Sequence, residues 1–114
     1  MTTVETWTRA ASLNDIPEGE MLALNLDGTK VALYRLDSGE VYATANVCTH
    51  EYALLTDGWL EGCEVECPLH SGRFDVRNGK ALCEPLKRDV RTFPVRIDGD
   101  DIYLDFSESG QPAP

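Results

Sequence analysis

Apolar and polar residues alternate along this chain in short runs, and no long stretch carries the period of an amphipathic helix. In residues 21–26 the alternation puts Leu22, Leu24 and Leu26 on one face. Asp27-Gly28 follows, then an apolar run over 30–36, Ser38-Gly39, and a further run over 41–45. Asp-Gly between two alternating runs predicts a tight hairpin, because such turns need the positive φ that these residues tolerate. The three runs therefore predict an antiparallel meander. A strand over 7–10 precedes it, and residues 12–17 have the cap and turn chemistry of one irregular turn ending at Pro17.

The strand pattern lapses at Asn46 and resumes in shorter pieces. Asp57-Gly58 turns into Trp59-Leu60, residues 64–67 form a strand, and 73–76 place Phe74 and Val76 on one side. Asn78-Gly79 predicts a second hairpin, returning through 80–83 until Glu84-Pro85-Leu86 interrupts it. Residues 91–97 and 102–106 predict a closing hairpin across Asp98-Gly99-Asp100, with Pro94 at an edge or a bend, since proline has no N–H for a ladder. Residues 107–114 are polar and predict a frayed tail. The expected fold is all-β: one domain over 1–114, a small antiparallel β-sandwich or barrel with a smaller subdomain inserted at 46–85.

Charge and composition narrow the function. Ten Lys and Arg face 20 Asp and Glu, a formal net charge of -10. Nucleic acid is excluded as a partner, because its binding needs clustered basic groups to neutralise phosphates. No apolar run approaches the roughly 18 to 20 residues of a membrane span. The first seven residues lack the basic start and apolar stretch of a secretory signal, so the expected location is cytoplasmic.

The chemistry is concentrated in two short arms, Cys48-Thr49-His50 and Cys67-Pro68-Leu69-His70, separated by sixteen residues. Each offers one thiol and one imidazole, the donors of a metal site. Zinc accepts two Cys and two His. Zinc modules, however, usually pair like with like, whereas these arms are mixed. Mixed arms suit a binuclear centre in which each loop reaches both metal atoms, as in a [2Fe–2S] cluster with two thiolates on one iron and two imidazoles on the other. The other two cysteines, Cys63 and Cys83, predict buried thiols rather than disulfide partners.

Residues 46–50, Asn-Val-Cys-Thr-His, together with 66–75, Glu-Cys-Pro-Leu-His-Ser-Gly-Arg-Phe-Asp, closely resemble Rieske-type ferredoxins. The intervening 52–62 and the 79–85 stretch ending in Pro85 resemble the ferredoxin components of bacterial aromatic-ring dioxygenases. The resemblance covers nearly the whole chain. It implies the Rieske fold and one Rieske-type [2Fe–2S] cluster, with Cys48 and Cys67 on the inner iron and His50 and His70 on the outer. It implies a one-electron carrier rather than an enzyme, a monomer passing electrons from an NAD(P)H-dependent flavin reductase to a terminal oxygenase. Around the ligands, Tyr52, Pro68, Leu69, Pro85 and Leu86 are the expected covering and docking residues, with Glu51, Glu84, Lys87 and Arg88 at the rim. The respiratory members of the family carry a disulfide pair and two hydroxyl donors beside the cluster. Here those positions hold Ala53, Leu69, Gly72 and Phe74. Fewer donors stabilise the reduced cluster less, so the expected potential lies near the low end of the Rieske range, around -150 mV. An alternative within the same resemblance is a small subunit of another redox enzyme, such as assimilatory nitrite reductase. A zinc-bound or apo interaction module is the alternative outside it.

Overall fold

A computed structural model describes residues 7–49, 52–69, 71–84 and 86–106. The alternating runs form eleven strands among these residues: β1 (Trp7–Ser12), β2 (Glu20–Leu26), β3 (Thr29–Arg35), β4 (Val41–Ala45), β5 (Trp59–Glu61), β6 (Glu64–Glu66), β7 (Arg73–Asp75), β8 (Lys80–Ala81), β9 (Thr92–Phe93), β10 (Val95–Asp98) and β11 (Asp101–Asp105). They make three antiparallel sheets, ordered β1-β11-β10, β2-β3-β4-β9 and β5-β6-β7-β8. The fold is all-β, as the alternation predicts.

Strand β1 runs two residues beyond its predicted end. A register irregularity between Arg9 and Ala11 lets it continue to pair with β11. Ser12 then caps a short 3-10 turn, Leu13–Asp15: its Oγ accepts from the Asn14 N–H at 3.2 Å, and Asp15 accepts from the Ser12 N–H at 3.0 Å. This reciprocal box satisfies donors that a helix start leaves open. The turn's far end is closed by Arg35, whose guanidinium donates to the carbonyls of Leu13 and Ile16 at 3.2 and 3.1 Å.

Pro94 resolves the closing hairpin. The predicted strand over 91–97 is two strands in different sheets: β9 pairs with β4, and β10 pairs with β11. Proline cannot donate to a ladder, so the chain leaves one sheet at Pro94 and joins the other as an edge strand. Its carbonyl still accepts from the Asp105 N–H at 3.2 Å.

Strand β3 organises the interior. Val31, Ala32, Leu33 and Tyr34 are all fully buried, which requires cover on both faces of the strand. Val31 and Leu33 face a core with Ile16, Ala43, Phe93, Ile102 and Leu104, between the first two sheets. Ala32 and Tyr34 face the opposite core, with Cys48, Leu55, Val65, Cys67, Phe74 and Val90. The period of two in a strand sends successive side chains to opposite faces, so a continuous apolar run serves two cores. The second core carries the β5–β8 sheet.

Candidate metal centre

The first arm leaves β4 at Asn46, which is 2% exposed. The Asn46 Nδ2 donates to Thr56 Oγ1 at 2.8 Å, and its Oδ1 accepts from the Thr56 N–H at 2.9 Å. Its backbone carbonyl accepts from the Leu55 N–H at 3.2 Å. One buried side chain thus closes the loop where strand pairing has lapsed. Beyond it Val47 bridges Leu54, and the Cys48 N–H donates to the Ala53 carbonyl at 2.9 Å.

The second arm extends the β6–β7 hairpin past the Glu66–Arg73 pair. Here the Cys67 N–H donates to the Gly72 carbonyl at 2.8 Å, and the Ser71 N–H returns to the Cys67 carbonyl at 3.2 Å. Ser71 takes the left-handed conformation, φ 62°, that reverses the chain. The two arms therefore close alike: each cysteine bonds the carbonyl five residues on, with a four-residue span between. His50 falls in one span and His70 in the other.

Cys48 is 4% exposed and Cys67 is fully buried, and both belong to the core shared by β3, β6 and β7. None of the four cysteines forms a disulfide. Two buried sulfurs, each at the base of a loop whose next residues include an imidazole, fit a site with thiolates inside and histidines outside. His50, His70, Glu51 and Pro85 lie outside the described residues, as do residues 107–114. Among the described residues no group of three His, Cys, Asp or Glu side chains is arranged to hold a metal ion.

Close approach fixes two glycines here. A Cβ on Gly58 would collide with the Glu66 carbonyl and meet Pro68 Cδ at 3.2 Å, so the chain leaving the first arm lies directly on the second. Gly79, at φ 77°, lies against the Val90 carbonyl and accepts its N–H at 2.8 Å. The segment following Pro85 is held to the first arm as well, where Thr49 Oγ1 donates to the Arg88 carbonyl at 2.8 Å.

Of the expected covering and docking residues, Tyr52 is 69% exposed, Leu69 is 58% exposed and Pro68 is half-buried. Glu84, Lys87 and Arg88 are exposed. Leu86, expected among the covering and docking residues, is not exposed. It is buried within the core that holds both cysteines, because its side chain turns inward over Gly72. Cys83 departs from its expected burial: it is exposed, with Sγ 4.0 Å from the Ser71 carbonyl, while Cys63 is half-buried against the same core.

Trp59 is exposed beside Glu66 at the edge of the β5–β8 sheet, a placement its local sequence does not signal. A solitary aromatic on a three-residue strand gives no alternation from which to read its face. Nearby, Arg73 reaches Glu61, Glu64 and Glu66 at 3.4, 3.2 and 3.1 Å. The hydrogen bond to Glu64 leads in raising its pKa, with help from the other glutamates. On the neighbouring row the Arg77 guanidinium grips both Asp75 carboxylate oxygens at 3.0 and 2.8 Å and holds that carboxyl below its usual range.

A small all-β module with two loops, each starting from a buried cysteine and carrying a histidine in its sequence, has the donor set of a redox metal carrier. Residues 6–94 match the Rieske [2Fe-2S] domain family, and the chain belongs to it. Its cofactor is a Rieske-type [2Fe–2S] cluster. The chain is 52% identical over 100 residues to the ferredoxin component of the naphthalene 1,2-dioxygenase/salicylate 5-hydroxylase systems of Ralstonia sp., covering 88% of this chain and 95% of that one. It superposes with a TM-score of 0.83 on the ferredoxin of carbazole 1,9a-dioxygenase from Nocardioides aromaticivorans IC177, at 38% identity, covering 89% of this chain and 98% of the other. It likewise resembles the ferredoxin in a complex of reduced oxygenase and oxidised ferredoxin of carbazole 1,9a-dioxygenase, with TM-score 0.82, 28% identity and 95% and 96% coverage.

Proposed function

We propose that this chain is the one-electron carrier of a bacterial aromatic-ring dioxygenase system. It takes electrons from an NAD(P)H-dependent flavin reductase and delivers them to a terminal oxygenase. The observation that carries this reading is the matched pair of arms, each with a buried cysteine at its base and a histidine in its span, on a chain half-identical over nearly its full length to such a ferredoxin component. That likeness favours a dissociating shuttle over a permanently held subunit of a nitrite reductase.

Cys48 and Cys67 would hold one iron as thiolates, and His50 and His70 the other through neutral ring nitrogens. When bound, the cluster supplies a site that accepts and releases one electron. The chain's own residues do the rest. The core around β3 excludes water from the sulfur side. Asn46 and the two cysteine N–H bonds hold the arms in register. Tyr52, Pro68 and Leu69, with Pro85, supply the apolar contact at which a partner docks. Transient exchange suits a small interface, below about 1,200 Å² in total. Among the described residues no helix is long and apolar enough to cross a membrane, and we read the carrier as a cytoplasmic monomer.

Two measurements test this. An EPR spectrum of the dithionite-reduced protein should have the low average g-value of a histidine-ligated cluster. A colourless protein with stoichiometric zinc and no acid-labile sulfide would sink the proposal. In a reconstituted system, NAD(P)H-driven turnover by a reductase and oxygenase pair should depend on adding this chain.

A further inference from the structure

Gly72 is buried, and the space a side chain would need there is taken. An ideal Cβ on Gly72 would lie 2.7 Å from Leu86 Cγ and 3.0 Å from both Cδ atoms. The far end of a flexible side chain could swing away, but here the branch point and both methyls meet the added carbon. Leu86 is itself 6% exposed and locked in the core with Cys48, Cys67 and Phe74. Its backbone is fixed by the Leu86 N–H bond to the Cys83 carbonyl at 3.1 Å. Two residues on, Arg88 receives the Thr49 hydroxyl. The 86–90 segment is thus fastened to both arms: by a hydrogen bond to the first and by packing of Leu86 onto Gly72 in the second.

We infer that Leu86 seated on Gly72 is a latch that holds the 86–90 segment against the second arm and keeps water from the Cys67 side of the cluster. This rests on the Rieske reading of the arms. Leu86 and Gly72 are positioning residues, acting through the arm that carries Cys67 and His70. The glycine at 72 is therefore more than a missing hydroxyl donor. Any larger residue there, serine included, must first displace Leu86, so local packing keeps this position small. Overfilling a packed site forces neighbours off their rotamers, and in this one the displaced neighbour is the cover.

The test uses the purified holoprotein with Gly72→Ala, Leu86→Ala and the double variant. Cluster loss is followed as bleaching of visible absorbance under an excess of iron chelator. Each single variant should bleach about tenfold faster than the parent. The double variant should bleach no faster than Leu86→Ala alone, because removing Leu86 clears the space that the new methyl occupies. The EPR g-values of Leu86→Ala should stay at the parental values while its midpoint potential rises, since admitted water stabilises the more charged reduced state. A parental bleaching rate in Gly72→Ala, independent multiplication of the two effects in the double, or an unchanged potential in Leu86→Ala would overturn the latch. If Gly72→Ala does not accumulate as folded protein, a folded double variant supports the latch. Failure of the double while Leu86→Ala folds refutes it. A parent without a Rieske spectrum would instead remove the ligand assignment, a separate outcome.

Discussion

The Asn46 side chain clasps Thr56 at two points, donating from Nδ2 to Oγ1 at 2.8 Å and accepting the Thr56 N–H at Oδ1 at 2.9 Å. The clasp spans the loop that carries Cys48 and His50; Asn46 is buried and Thr56 half-buried. Asn46→Ala should cost about 1–2 kcal/mol, because the Thr56 N–H and hydroxyl both lose their partner at a half-buried site. Urea titration of the parent and variant holoproteins checks the stability loss. A variant as stable as the parent would show that the first arm closes without the clasp.

The Tyr34 hydroxyl bonds Thr44 Oγ1 at 2.8 Å, and Thr44 Oγ1 donates onward to the Ala45 carbonyl at 2.8 Å. Burial pushes the Tyr34 phenol far above its ordinary range, outweighing the opposing bond from Thr44. A raised pKa means that the folded state holds a proton the unfolded state releases. Tyr34 therefore contributes its full stability below pH 10.0, the ordinary phenol value, and loses it as pH rises above that. Tyr34→Phe should cost about 1 kcal/mol at neutral pH and lessen the alkaline decline. Ultraviolet titration should find one of the four tyrosines silent until the chain unfolds.

Asp75 is held by the Arg77 guanidinium and by the Arg77 N–H at 2.9 Å, and its pKa lies below 3.8. A depressed carboxyl contributes stability that is present above the unfolded value and lost as pH falls below it, toward the folded value. Asp75→Asn should lower stability at pH 7 and flatten the acid limb of the unfolding curve below about pH 4. An acid limb identical to the parent's would assign acid unfolding to other carboxylates.

Removing the cluster should loosen the subdomain before the sandwich. Cys48 and Cys67 sit in the core that β3 shares with β6 and β7, while the other face of β3 packs between the first two sheets. A group that binds only the folded chain stabilises it by mass action, so chelation should lower the thermal midpoint. Hydrogen exchange should accelerate over residues 64–76 more than at Val31 and Leu33. Uniform acceleration would indicate that the two cores unfold as one.

His50→Cys and His70→Cys test the proposal that these histidines hold the outer iron. If a cluster assembles, its EPR and visible spectra should move toward those of an all-cysteine centre, and its potential should fall by a few hundred mV. Spectra unchanged in both variants would remove these histidines from the ligand set.

Much of this architecture was legible because it rests on local rules. Alternation with Asp27-Gly28 and Ser38-Gly39 defines the β2–β3–β4 meander, since a strand's period of two and a turn's need for positive φ act over a few residues. The turn chemistry of Asn78-Gly79 likewise predicts a tight reversal without any knowledge of what surrounds it, and Gly79 takes the positive φ of 77°. Tertiary structure decided what depends on distant partners. Pro94 marks a break in the sequence, but the two sheets that β9 and β10 join are chosen by β4 and β11. From the sequence Leu86 reads as a covering and docking residue beside a proline, and Cys83 as a buried thiol. Their opposite fates, inward over Gly72 and outward to solvent, follow from packing between segments fourteen and twelve residues apart. By itself the sequence determined the periods and the turns. Which faces those elements bury, and why residue 72 must be glycine, only the folded chain decides, because close packing is a property of neighbours that the chain order does not name.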